Sequence, residues 1–130
     1  MNIKTLIIDD DDISVMLTDI LLKDSPFANT TISFSDGVYA LEYLKAEYCP
    51  ENKYIIILDI NMPKMDGWEF LHHIKDIVLP SNTLVFMLSS STDKLDIDKA
   101  AGIPLVKLFF SKPLDENHIR EMLALLDSTK

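Results

Sequence analysis

The stretch Tyr54-Ile55-Ile56-Ile57-Leu58-Asp59 sets five aromatic or aliphatic residues in an unbroken row and ends them on an acid. Lys4-Thr5-Leu6-Ile7-Ile8 and Leu84-Val85-Phe86-Met87-Leu88 are runs of the same kind. A strand with one face in water alternates polar and apolar residues, and none of these does. Runs covered on both faces belong to a parallel sheet with helices on each side. Between them the period changes. Ile13, Met16, Leu17, Ile20 and Leu21 recur at helical spacing, as do Val38, Leu41 and Leu44. Phe70, Leu71, Ile74 and Ile77 or Val78 do so over a helix expected from Asp66 or Gly67 to Leu79, and Ile119, Met122, Leu123 and Leu125 or Leu126 follow suit near the end. Each set predicts one buried stripe. Asp12, Asp36 and Asp115 precede helical patterns and suit N-caps or first-turn acids. Weaker strands fit Thr30 to Phe34 and Leu108 to Ser111, with a short helix from about Asp93 to Ala101 that Pro104 keeps from continuing. The order is strand then helix, repeated to give an α/β, doubly wound, five-stranded parallel sheet with helices on both faces.

Composition narrows the class. A chain of 130 residues with 48% hydrophobic and 25% charged residues can bury a core of its own, which excludes a disordered or disulfide-stapled chain. Residues 1–130 read as a single domain, with no linker and no room for an attached output domain. The lone Cys49 has no intrachain partner and no Cys/His cluster exists for zinc, which fits a reducing compartment. Neither a signal peptide nor a membrane span is legible, so the expected location is cytoplasmic. A formal net charge of -9 disfavours direct nucleic-acid binding and favours solubility.

The acids fall in a pattern. Asp9-Asp10-Asp11-Asp12 follows the first strand and Asp59 follows the third, at the carboxyl ends where open α/β sheets place their sites. If those strands are neighbours, Asp9, Asp10 and Asp59 form one cluster whose mutual repulsion calls for a cation. Hard oxygen ligands suit Mg²⁺, with Asp10 and Asp59 binding directly, Asp9 through water, and the main-chain carbonyl of Asn61 as a further oxygen. Capping accounts for Asp12 but not for Asp9 and Asp10, since several acids exceed what one cap requires. Ser89-Ser90-Ser91 ends the fourth run and Lys112-Pro113 the fifth. There Lys112 can pair with Asp59 and then with an added phosphoryl oxygen, to which Ser89 can donate a hydrogen bond. Pro113 ends the fifth strand and holds Lys112 extended.

Leu58-Asp59-Ile60-Asn61-Met62-Pro63-Lys64-Met65-Asp66-Gly67, taken with Ile8-Asp9-Asp10 and Ser111-Lys112-Pro113, resembles the receiver domain of bacterial response regulators, the phosphoacceptor half of two-component signalling. The likeness runs from Lys4 to about Leu126. It implies a flavodoxin-like sheet in the order 2-1-3-4-5. It also implies that Asp59 is the phosphorylated aspartate, that Asp9, Asp10 and the Asn61 carbonyl serve the metal, that Ser89 and Lys112 contact the phosphoryl group, and that Phe109 is the aromatic switch. Without a hydroxyl, Phe109 is expected to favour an inward position in both states. The connection from Gly102 to Lys112 is longer than the common pattern and resembles small stand-alone receivers of groups such as Bacteroidetes. The usual dimer surface of fourth helix, fifth strand and fifth helix is therefore not carried over.

The activity implied is Mg²⁺-dependent transfer of a phosphoryl group to Asp59 from a phosphohistidine on a sensor histidine kinase or histidine phosphotransfer protein, followed by slow self-dephosphorylation. Such a domain is no conventional turnover enzyme. It would signal by conformational switching to a separate downstream effector, with docking near Phe109 and the first helix. The alternative is a phosphorylation-independent interaction module with the same fold. A phosphohydrolase would want an acid where Asn61 stands, and a dinucleotide binder would want a Gly-rich turn after the first strand.

Overall fold

The computed structural model describes residues 2–27, 31–90 and 93–128. Thr30 and Ser91, expected in a strand and at a strand end, lie outside them. The chain alternates β1 (Ile3–Ile8), α1 (Asp12–Leu22), β2 (Thr31–Phe34), α2 (Gly37–Glu47), β3 (Lys53–Leu58), α3 (Gly67–Ile74), β4 (Thr83–Ser89), α4 (Lys94–Ala101), β5 (Val106–Ser111) and α5 (Glu116–Ser128). All pairings are parallel and the order is β2-β1-β3-β4-β5, as expected. The register sets Ile8 beside Leu58, Leu58 beside Met87 and Ser89 beside Ser111, so these strands end along one rim.

Every residue of β3 is buried, and alternate side chains enter opposite layers. Tyr54, Ile56 and Leu58 join Leu41, Leu44, Phe70 and Ile74 from α2 and α3. Ile55 and Ile57 join Leu22 of α1 and Ile119, Met122 and Leu126 of α5. This two-sided cover is why the run contains no polar position.

Three expectations need correction. The stripe read on α1 faces outward: Ile13 is 64% exposed, Leu17 50% and Ile20 62%, while Thr18 and Leu22 are buried and Val15 and Leu21 half-buried. The helix is apolar around more than one face, and periodicity cannot say which face meets the sheet. Helix α3 stops at Ile74, short of Leu79, and the chain continues in turns closed by Ile77 and Val78 N–H groups on the Ile74 carbonyl. Pro80 bars Leu79 from helical geometry, and Val78 still reaches the core from the turn. The N-cap of α1 is Asp11, whose carboxylate accepts from the N–H groups of Ile13 and Ser14, and Asp12 is its first-turn acid. Asp36 caps α2 as expected, and Asp115 accepts from the His118 N–H at the start of α5.

Candidate functional site

Most of the candidate side chains sit at or just beyond a strand end, Ser89 closing β4, while Phe109 lies within β5. The Asp9 N–H donates to the Phe34 carbonyl and the Asp59 N–H to the Ile8 carbonyl, which extends the ladder one residue past β1 and β3 and sets the two acids side by side. Beyond Asp59 the chain turns, and the Gly67 N–H returns to the Ile60 carbonyl at 2.8 Å. A Cβ on Gly67 would lie 2.6 Å from the Asp59 carbonyl oxygen, so only glycine lets α3 start this close to the strand. Lys64, at the crest of that turn, has φ 67°. On the other flank the Lys112 N–H donates to the Ser89 carbonyl, tying the β4 and β5 ends together, and the Lys112-Pro113 bond is cis.

These ties gather the predicted residues. Carboxylate oxygens of Asp9, Asp10 and Asp59 all lie within 4.8 Å of one another. Asp9 and Asp59 are buried, and Asp10 is exposed. The Lys112 ammonium is 2.9 Å from Asp9 and 3.6 Å from Asp59, so it bridges the two and lies nearer the acid that the sequence did not pair with it. Ser89 is fully buried at the end of β4. Asn61 lies on the exposed loop two residues past Asp59. Phe109 is half-buried against the α2–α3 layer, whereas Phe110 belongs to the opposite one.

Burial and the neighbouring Asp9 charge raise the Asp59 carboxyl to about 6, against the pull of Lys112. Burial works against the Lys112 ammonium too, but its hydrogen bond to Asp9 and the charges of Asp59 and Asp9 outweigh that and hold its pKa above the usual value. The site is thus short of positive charge. Among the described residues one ammonium, paired with Asp9 and Asp59, stands beside three carboxylates, and a second cation among their oxygens would lower the cost of keeping all three ionised.

Residues 5–124 match the response regulator receiver domain family. The chain belongs to this family. A two-component response regulator from Cytophaga hutchinsonii superposes on this receiver domain with a TM-score of 0.82 at 30% identity, covering 98% of each chain. A receiver protein from Dyadobacter fermentans gives 0.79 at 26% identity, over 95% of this chain and 96% of that one. Regulator of RpoS from Escherichia coli K12 is 34% identical over 105 residues, which are 78% of this receiver domain but only 29% of that protein. Sporulation initiation phosphotransferase F from Bacillus subtilis 168 is 29% identical over 122 residues, 93% of this chain and 90% of that one. Receiver domains act in two-component signalling with kinase or phosphotransfer partners and generally use Mg²⁺ at an acidic pocket, and this one carries the aspartate cluster for it.

Two features of the site escaped the sequence reading. The near pairing of Lys112 with Asp9 depends on side-chain direction at two strand ends, which spacing does not encode. The contact between Gly67 and the Asp59 carbonyl was signalled only by a glycine at a helix start, a position that a cap explains equally well.

Proposed function

We propose that this receiver domain takes a phosphoryl group from a phosphohistidine onto Asp59 and passes the signal to a separate protein. The observation that carries the reading is the bridging of Asp9 and Asp59 by Lys112 inside a three-carboxylate cluster. Asp9, Asp10, Asp59 and the Asn61 carbonyl would hold Mg²⁺, whose charge offsets that of the phosphoryl oxygens. With a carboxyl pKa of about 6, Asp59 is mostly ionised at pH 7 and available as the nucleophile. One of its oxygens forms a bond to phosphorus as the donor's phosphorus–nitrogen bond breaks, leaving the imidazole with the electron pair and then a proton. Lys112 stays charged throughout and can move from the carboxylates toward a phosphoryl oxygen, while Ser89 supplies a hydroxyl donor from the neighbouring strand end. Attack of water on phosphorus later releases inorganic phosphate and restores the carboxylate.

The exposed stripe of α1 gives the donor somewhere to sit. Ile13 and Leu17 line a recess of about 240 Å³ that also includes Asp11, Lys112, Pro113 and Leu114 and borders the site. A donor helix laid along it would bring its phosphohistidine over Asp59. Phosphorylation adds about -1.5 to -2 charges. Ser89, Lys112 and the half-buried Phe109 are the groups whose contacts would then differ between two states. The likeness to a sporulation initiation phosphotransferase, 29% identical over 122 residues, supports a relay role.

The test is incubation with Mg²⁺ and a small acyl phosphate, read by intact mass. The native chain should gain one phosphoryl group and Asp59→Asn none. No gain in the native chain, or an equal gain in the variant, would leave an interaction module that needs no phosphorylation.

A further inference from the structure

Away from the acidic rim, a groove of about 790 Å³ lies between α3 and the segment joining α4 to β5. Its floor is apolar, with Leu71 and Leu105 buried and the Trp68 ring half-buried beside them. Its rim carries Lys75 at the C-cap of α3 and Lys99 of α4. The Lys99 ammonium stands 4.6 Å from the centre of the Trp68 ring, which holds that charge over the floor. Among the described residues neither lysine is in an ion pair. His72 and His73 also line the groove, and Glu69 is its one acid. In a chain of net charge -9 this is a local reversal of sign.

Volume and chemistry agree on one occupant. Small-molecule sites run to about 300–1,000 Å³ and are mostly apolar with a few placed polar groups. A partner protein normally covers about 800 Å² on each side, far more than this groove presents. An inorganic anion would leave the apolar floor in water, and a neutral ligand would leave both ammonium groups unanswered. We propose that the groove binds small amphiphilic organic anions, carboxylates with an aromatic or aliphatic body, whose apolar part covers Trp68, Leu71 and Leu105 while the carboxylate meets Lys75 and Lys99. This goes beyond the phosphoacceptor reading and stands without it.

Trp68 is the only tryptophan, so its indole N–H gives one nuclear magnetic resonance signal. Titration of the isotope-labelled full chain with phenylbutanoate should shift that signal saturably, and phenylbutanol should bind at least about fivefold more weakly. The double variant Lys75→Gln/Lys99→Gln should show the same loss for phenylbutanoate. Both lysines are exposed, so folding should survive, and the alcohol comparison uses the unaltered chain. An unmoved Trp68 signal, equal binding of the alcohol, or shifts centred on α1 would overturn the proposal. So would saturation by a Glu-rich peptide with a central Leu but not by phenylbutanoate, which points to a protein partner, or a Trp68 shift on raising protein concentration alone, which points to a second copy.

Discussion

Asp59 occupies a position where its charge is opposed in the folded chain and unopposed in the unfolded one. Its folded pKa of about 6 against an ordinary 3.8 means the native state binds the proton more tightly. The native state therefore loses stability as pH rises from about 4 to about 6, and the loss then levels off. At a rim where the adjoining Asp10 stands in water and screening weakens the effect, this amounts to about 1–2 kcal/mol. In urea titrations without Mg²⁺, Asp59→Asn should gain on the native chain through that window and keep a lead of about that size at pH 7. A constant difference across the window would contradict the assignment. At Gly67 the prediction is steric. Gly67→Ala places a methyl 2.6 Å from the Asp59 carbonyl oxygen and 3.0 Å from the Ile60 Cα, both backbone atoms. The loop must shift, at a cost of about 1–3 kcal/mol in urea, with slower phosphorylation because Asp59 moves with it. The acids themselves were legible from the sequence, since Asp9, Asp10 and Asp59 each follow an apolar run. The preference of Lys112 for Asp9 was not, because both carboxylates lie within its reach and the direction of each side chain at its strand end decides between them.

At the scale of elements, α1 separates what periodicity can show from what packing decides. Leu17 is half exposed and Leu22 fully buried, although both are leucines on one amphipathic helix. Leu17→Ser should change stability by no more than about 0.5 kcal/mol, whereas Leu22→Ala should cost about 2–5 kcal/mol by denaturant titration. Leu17→Ser should nevertheless slow phosphoryl transfer from a histidine-bearing donor protein while leaving the rate with a small acyl phosphate unchanged. A slowing with both donors would place Leu17 in the folding of the site and not on the docking face. The cap of the same helix gives a smaller effect. Asp11→Ala removes the acceptor for the Ile13 and Ser14 N–H groups and should lower stability by about 1 kcal/mol in a thermal melt. The sequence placed the cap one residue later because four successive acids offer the same chemistry at each position.

For the whole molecule, the parallel sheet converts five distant segments into one rim, and a cation held there should join the ends of β1 and β3. A bound ion stabilises only the folded chain, so Mg²⁺ at about 100 times its dissociation constant should add about 2.7 kcal/mol, reversed by chelator. Asp10→Asn should weaken that gain, and an unchanged melting temperature on adding Mg²⁺ would contradict metal binding by the cluster. The alternation of unbroken apolar runs with helical periods determined the fold class from the sequence alone, because a strand covered on both faces is apolar along most of its length and its composition shows it. The same runs located the site, since each ends on the residue that carries the chemistry. Tertiary structure alone decided which face of α1 meets the sheet, which carboxylate Lys112 approaches, and that α3 and the α4–β5 segment leave a cationic groove between them. Those outcomes depend on distances between residues far apart in the chain, and local spacing carries no record of such distances.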